Sequence, residues 1–172
     1  MKFNYKKILI VGCGGAGKST LARIMGEKFN LPVIHLDKIH WLPNWQERPN
    51  KEFDTLLQNE LIKDSWIIDG NYTRTFDARV KYADLCIFLD YPIELCIQSV
   101  LERVEQYKNT SRPDMTEGCP EQVDDEFMEW IKNYNIDVRP VFIDTMNKAN
   151  IPFLIFKSRK ETEDWLNSID NR

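Results

Sequence analysis

The run Gly12-Cys13-Gly14-Gly15-Ala16-Gly17-Lys18-Ser19 constrains this chain more than any other feature. It has the spacing Gly-x-x-x-x-Gly-Lys-Ser, in which successive backbone N–H groups turn inward onto phosphate oxygens. Side chains would block that approach, so the loop is rich in glycine. An apolar run, residues 7–11, precedes it, and Leu21, Ile24, Met25 and Phe29 follow at helical spacing. A strand before and a helix after are the context that separates a phosphate loop from a Gly-rich turn. Lys18 brings a positive charge to the β- and γ-phosphates, and Ser19 offers a hydroxyl to Mg²⁺. The start of the helix directs its positive end at the same oxygens. Gly12, Cys13, Gly14, Gly15, Ala16, Gly17, Lys18, Ser19 and Thr20 are therefore expected to hold a nucleoside triphosphate, ATP with Mg²⁺. Cys13 is expected to contribute only its backbone N–H.

Four further short apolar runs, 33–36, 65–69, 85–90 and 152–157, read as buried strands, two of them ending in Asp69 and Asp90. Helical patterns fall between them: 18–29, 53–61, a helix from Pro92 to about Tyr107, a stripe from Phe127 to Tyr134, and 162–169. Pro140 starts or kinks one more. Five strands alternating with helices predict an α/β domain with a parallel sheet, its site along the edge where the strands end. Residues 109–120 are polar, with two prolines and a glycine, and read as a loop or mobile lid. The chain is expected to be a single domain, 1–172, with a lid insertion at about 108–122.

Composition narrows the partners. At 42% hydrophobic and 29% charged, the 172 residues fit a soluble globular domain. No apolar run is long enough to span a bilayer, and residues 1–7 lack the features of a signal peptide, so the cytoplasm is the expected location. Cys13, Cys86, Cys96 and Cys119 form no Cys-x-x-Cys pair, which argues for reduced thiols. A net charge of −4 without a strongly basic segment weighs against nucleic acid as the main partner, though a local patch would escape that count. No Asn-Lys-x-Asp motif of a GTPase is present.

Asp69-Gly70-Asn71-Tyr72-Thr73-Arg74 closes a strand and resembles the Asp-Gly-(aromatic)-Pro-Arg element of adenylate kinases, departing from it at Asn71 and Tyr72. A narrower resemblance covers nearly the whole chain. His35-Leu36-Asp37, Trp41-Leu42-Pro43-Asn44-Trp45, Ile68-Asp69-Gly70-Asn71-Tyr72, Arg112-Pro113-Asp114-Met115 and Glu117-Gly118-Cys119-Pro120 are similar to the bacterial DNA topology modulation proteins. The resemblance implies an adenylate-kinase-like P-loop NTPase, a three-layer α/β/α fold around a five-stranded parallel sheet. The family's name implies an effect on DNA supercoiling, for which these residues supply no chemistry.

The expected activity is phosphoryl transfer from ATP to a nucleoside monophosphate or another small molecule. Lys18, Asp37, Arg103 and Arg112 are the expected catalytic residues, with Ser19 and Asp69 at the metal. Asp37 follows the second strand, where shikimate-kinase-like enzymes place an acceptor-binding or base-like carboxylate; a helix cap or turn explains it equally simply. Arg103 and Arg112 flank the lid, as cations that would close over the transferred group. Asp90 is either a Walker-B-like carboxylate or the cap of the helix at Pro92. Arg74, Arg79 and Arg139 are further candidates for phosphate contacts, with a surface charge the simpler reading of each, and Trp66, Trp130 and Trp165 read as core. Trp41 and Trp45 suit either an acceptor wall or the core, and His35 and His40 carry no assigned role. The alternative function is a nucleotide-binding regulator of DNA topology.

Overall fold

The computed structural model describes residues 3–169; the ends of the expected 1–172 domain, residues 1–2 and 170–172, lie outside the described residues. The chain runs β1 (Lys7–Gly12), α1 (Lys18–Phe29), β2 (Val33–His35), α2 (Leu36–His40), β3 (Trp41–Leu42), β4 (Gln46–Glu47), α3 (Asn50–Leu61), β5 (Trp66–Asp69) and α4 (Phe76–Val80). It continues through β6 (Leu85–Leu89), α5 (Ile93–Gln106), α6 (Asp125–Asp137), α7 (Arg139–Lys148), β7 (Phe153–Phe156) and α8 (Arg159–Ser168). Five strands make one parallel sheet in the order β2-β5-β1-β6-β7, and β3 pairs with β4 in a separate antiparallel hairpin.

The α/β architecture with five parallel strands matches the sequence reading, and the reason is burial. Ile8 to Val11 of β1 and Trp66 to Ile68 of β5 have no exposed surface, so each strand is apolar along its whole length rather than at alternate positions. Helices α1 and α5 supply apolar faces that pack beside the sheet, including Leu21, Met25, Cys96 and Val100. The edge strand β7 is less covered, with Phe153 exposed. Among the described residues no helix is long and apolar enough to cross a membrane.

Local chemistry moved several element boundaries. Helix α8 begins three residues before the expected 162, because Ser158 Oγ accepts from the Glu161 N–H at 3.2 Å and caps it. Helix α3 begins at Asn50, directly after Pro49, instead of at Phe53. Pro140 starts α7 rather than kinking a longer helix, with Val138 the joint between α6 and α7. The short α2, the β3–β4 hairpin and α4 were not expected, being too short to show a period.

Two buried charges proved to be structural. Asp90 neither caps α5, whose N-terminal Pro92 has no side-chain cap, nor lines the cavity at the phosphate loop. It receives Arg139 Nε and Nη2 at 2.8 and 2.7 Å and is also paired with Lys157, tying α7 and the end of β7 to the end of β6. Arg139 is thereby a clamp rather than a free surface charge. Arg79 is a second correction: it is fully buried. Its guanidinium donates to the carbonyls of Gly70 and Tyr72 at 3.0 and 3.1 Å and to that of Asn71, fixing the turn that follows β5. Burial pushes its pKa down to about 10, which leaves it a cation at neutral pH.

Arg79→Met strands three backbone acceptors inside the protein, and we expect it to lower stability by about 3 kcal/mol or more. Urea denaturation checks this; an unchanged midpoint would contradict the clamp. Asp90 loses solvent on folding, which opposes its charge, yet Arg139 and Lys157 outweigh that and hold its carboxyl below the usual value of 3.8. A depressed carboxyl stabilises the fold above its unfolded pKa and ceases to do so as pH falls through the folded one. Asp90→Asn should therefore melt below the wild type at pH 7, with the gap closing under about pH 3.8. A gap that stays undiminished as pH falls well below that value would assign the loss to packing instead.

Candidate active site

Parallel pairing places the C-terminal ends of β1, β5 and β2 side by side, with Asp69 in register with both Ile10 and His35. The phosphate loop leaves the sheet there, at Gly12. Gly15 shows why no larger residue fits: its φ is +83°, and a Cβ would lie 2.3 Å from the Cys96 carbonyl oxygen of α5. The loop is thus pressed against α5, with Cys13 and Ala16 turned into the core. Lys18 Nζ donates to the Cys13 carbonyl at 2.9 Å, so Cys13 offers a carbonyl as well as its N–H, and the lysine is held along the loop. Gly12 N–H donates to Asn71 Oδ1 at 3.2 Å, joining the loop to the turn that Arg79 clamps.

Ser19 Oγ donates to Asp69 Oδ2 at 2.6 Å, and Asp69 Oδ1 lies 2.5 Å from His35 Nδ1. The carboxylate is buried and both of its oxygens are engaged. His35 was given no role in sequence, since its partner lies 34 residues away and becomes visible only in the strand register. Among the described residues no group of three or more His, Cys, Asp or Glu side chains is arranged to hold a metal. A hydroxyl beside one carboxylate still suits Mg²⁺, which takes few protein oxygens and fills its octahedron with phosphate oxygens and water.

Asp37, one residue into α2, accepts the Tyr72 hydroxyl at 2.7 Å through Oδ1. Burial, and then the Asp37 charge, push the Tyr72 phenol well above its ordinary pKa, so it remains a donor. Tyr72 has φ +38°, an uncommon value for a residue with a Cβ, in the turn held by Arg79. His40, Trp41, Trp45 and Tyr72 continue from Asp37 as one aromatic wall. Ring centroids lie 4.6 Å apart for His40–Trp41, 4.9 Å for His40–Tyr72 and 5.3 Å for Trp41–Trp45. Trp130, expected in the core, is only half-buried and lines the same cavity beside Phe127.

Residues 109–120 form neither helix nor strand and pack over the β3–β4 hairpin. Thr116 Oγ1 donates to the Trp41 carbonyl at 2.7 Å, Asn44 N–H to the Gly118 carbonyl at 3.0 Å, and Trp45 Nε1 to the Pro120 carbonyl at 3.2 Å. Two arginines reach one acid: Arg103 Nε donates to Glu121 Oε1 at 2.9 Å, and Arg112 is paired with Glu121 Oε2. Burial and the neighbouring Arg112 lower the Arg103 pKa, an effect Glu121 opposes. Arg112 Nη1 also donates to Asp114 Oδ2 at 2.8 Å. Burial works against the Asp114 charge, but Arg112 leads a set of contacts, Ser19 and His35 among them, that holds its carboxyl below the usual range. In sequence Asp114 stands only within the Arg112-Pro113-Asp114-Met115 resemblance, and Glu121 carries no signal.

A single cavity of about 1040 Å³ is lined by Lys18, Ser19, Asp37, Asp69, Arg103 and Arg112, so the structure gathers these residues in one place. Gly14, Gly15, Gly17 and Thr20 share that lining. Its size admits a nucleotide together with a small second molecule.

No protein-family model matches the chain, and no curated protein sequence does either. Solved structures do. The chain is similar to a shikimate kinase from Bacteroides thetaiotaomicron, with 19% identity, a TM-score of 0.55 and coverage of 95% of each chain. It is also similar to a shikimate kinase from Acinetobacter baumannii solved with shikimate, at 17% identity, a TM-score of 0.58 and coverage of 94% of this chain and 91% of that one. At this identity the likeness is one of fold alone, the fold these two shikimate kinases share with the chain.

Proposed function

We propose that this protein is an ATP-dependent phosphotransferase acting on a small metabolite. The observation that carries the reading is the Ser19–Asp69 contact of 2.6 Å at the mouth of a phosphate loop, in one cavity with two lid guanidiniums and an acceptor-side carboxylate. The fold likeness to shikimate kinases supports it. The chain is read as a single kinase domain whose residues 108–122 serve as the lid.

Lys18 and the backbone of residues 12–20, whose Gly12 N–H is already given to Asn71, bind the phosphates of ATP. Ser19 and Asp69 are the residues that would hold Mg²⁺, with His35 orienting the carboxylate from its other oxygen. When bound, Mg²⁺ neutralises phosphate charge during transfer. Arg103 and Arg112 face the migrating phosphoryl group from the lid, where fixed cations stabilise its spreading charge. Asp37 accepts a hydrogen bond from the attacking hydroxyl through the oxygen that Tyr72 leaves free, and aims it in line. The aromatic wall excludes water. The DNA-topology reading rests on the family resemblance, and no feature of this site favours it.

ADP release is the assay, run with ATP and Mg²⁺ against nucleosides, nucleoside monophosphates, amino alcohols, shikimate and gluconate. Transfer to at least one acceptor is expected, and Lys18→Ala should abolish ATP binding. Intact ATP binding with no transfer to any member would remove the kinase reading. Asp37→Asn should keep ATP affinity while lowering kcat on the active acceptor by about 100-fold or more, the range for a positioned acid–base group. A normal kcat in that variant would make Asp37 a cap and nothing more.

A further inference from the structure

The acceptor half of the cavity carries a chemical preference that its arginines reveal by where they point. Kinases that phosphorylate anionic acceptors need a cation to receive the acceptor's phosphate or carboxylate, and arginine's fork is the usual solution. In this chain the arginines near the acceptor wall are committed elsewhere. Arg48 donates through Nε to the Ile39 carbonyl at 2.6 Å and pairs with Glu52. Arg74 forms a bidentate pair with Asp54 at 3.0 and 2.7 Å on the outer surface. Arg79 is spent on three backbone carbonyls, and Arg139 on Asp90.

What faces the cavity from this side is of the opposite kind. Asp37 and Glu47 bring carboxylates, and His40, Trp41, Trp45 and Tyr72 bring rings. Burial lowers the His40 pKa, so that imidazole is uncharged at neutral pH and supplies no cation. Arg23, exposed on α1 one turn beyond Ser19, and Arg159, whose Nη2 donates to Ser99 Oγ at 2.5 Å, also line the cavity, on helices other than the elements that carry Asp37 and Glu47. Aromatic faces attract cations, and carboxylates repel phosphates and carboxylates, so the wall both selects and rejects.

Resting on the kinase reading above, we infer that the acceptor is an alcohol without an anionic group, flat or apolar in its body, whose charge, where it has one, is positive. Nucleosides and amino alcohols belong to this class; nucleoside monophosphates, shikimate and gluconate do not.

The test uses matched ligands with the full chain and a non-hydrolysable ATP analogue with Mg²⁺. Adenosine is set against AMP, cytidine against CMP, and choline against glycerate, with binding read by calorimetry. The uncharged or cationic member of at least one pair should bind at least tenfold more tightly than its anionic partner. Glu47→Arg, at a side chain already 72% exposed, should shrink that ratio by roughly tenfold, as expected when a repelling charge becomes an attracting one. Equal binding in every pair, tighter binding of the anionic members, or no binding by any of them overturns the inference. So does tight binding of AMP or CMP that disappears in Arg23→Ala, which would make Arg23 the anion's receptor. Transfer is read separately on the same ligands. Phosphorylation of an anionic member keeps the kinase and discards the acceptor class; binding of the uncharged member without transfer to any ligand does the reverse.

Discussion

A guanidinium buried without a carboxylate partner holds the two halves of this cavity together. Arg79 gives its donors to three successive carbonyls, and the turn they belong to would otherwise have no reason to keep Tyr72 at positive φ. From that turn Asn71 reaches back to the phosphate loop and Tyr72 reaches across to Asp37. A carboxylate beside Arg79 would have tied it to one atom; carbonyls distribute it over a backbone segment. Removing solvent from the cation costs several kcal/mol, which the charge-assisted hydrogen bonds offset. That is why a charge with no catalytic contact of its own governs the geometry of groups that would have one.

Electrostatics around the lid follow a similar logic. Two arginines in one small volume repel, and Glu121 sits between them as the shared anion. Asp114 takes the Nη1 of Arg112 and carries the negative charge on toward Ser19 and His35. The cavity therefore presents alternating signs from lid to phosphate loop. Such a pattern keeps each side chain in place before any ligand adds its own charge.

Much of this was legible in the sequence because it depends on period and spacing. The central strands β1, β5 and β6 are buried on both faces, so their residues read as apolar runs, and the phosphate loop declares itself by its glycines. Asp37 and Asp69 could be named because each stands at or just after a strand end whose direction the fold class sets, and Arg103 and Arg112 because of their place about the polar stretch. What could not be read was partnership across long separations. His35 meets Asp69 only through strand register, and Arg79 reads like any helix-surface arginine until α4 is seen to bury it. Asp90 illustrates the converse: it stands at a strand end like Asp69, but one strand over on the other side of β1, where Arg139 and Lys157 claim it. The β3–β4 hairpin was invisible because two-residue strands have no period to detect.

The hydrogen bonds between residues 116–120 and the hairpin at 41–45 bear on how the proposed kinase would turn over. Gly118, at φ +85°, lets the backbone of this segment lie against Pro43, so segment and hairpin are joined rather than independent. On the kinase reading, a joined cover of this kind would give both substrates a common doorway. Lifting it to free a nucleotide would also strip the wall from the second ligand, so the departure of one product would loosen the other. A kinase built this way would be paced by the opening of one surface, and a ligand bound on either side would lengthen the stay of its neighbour.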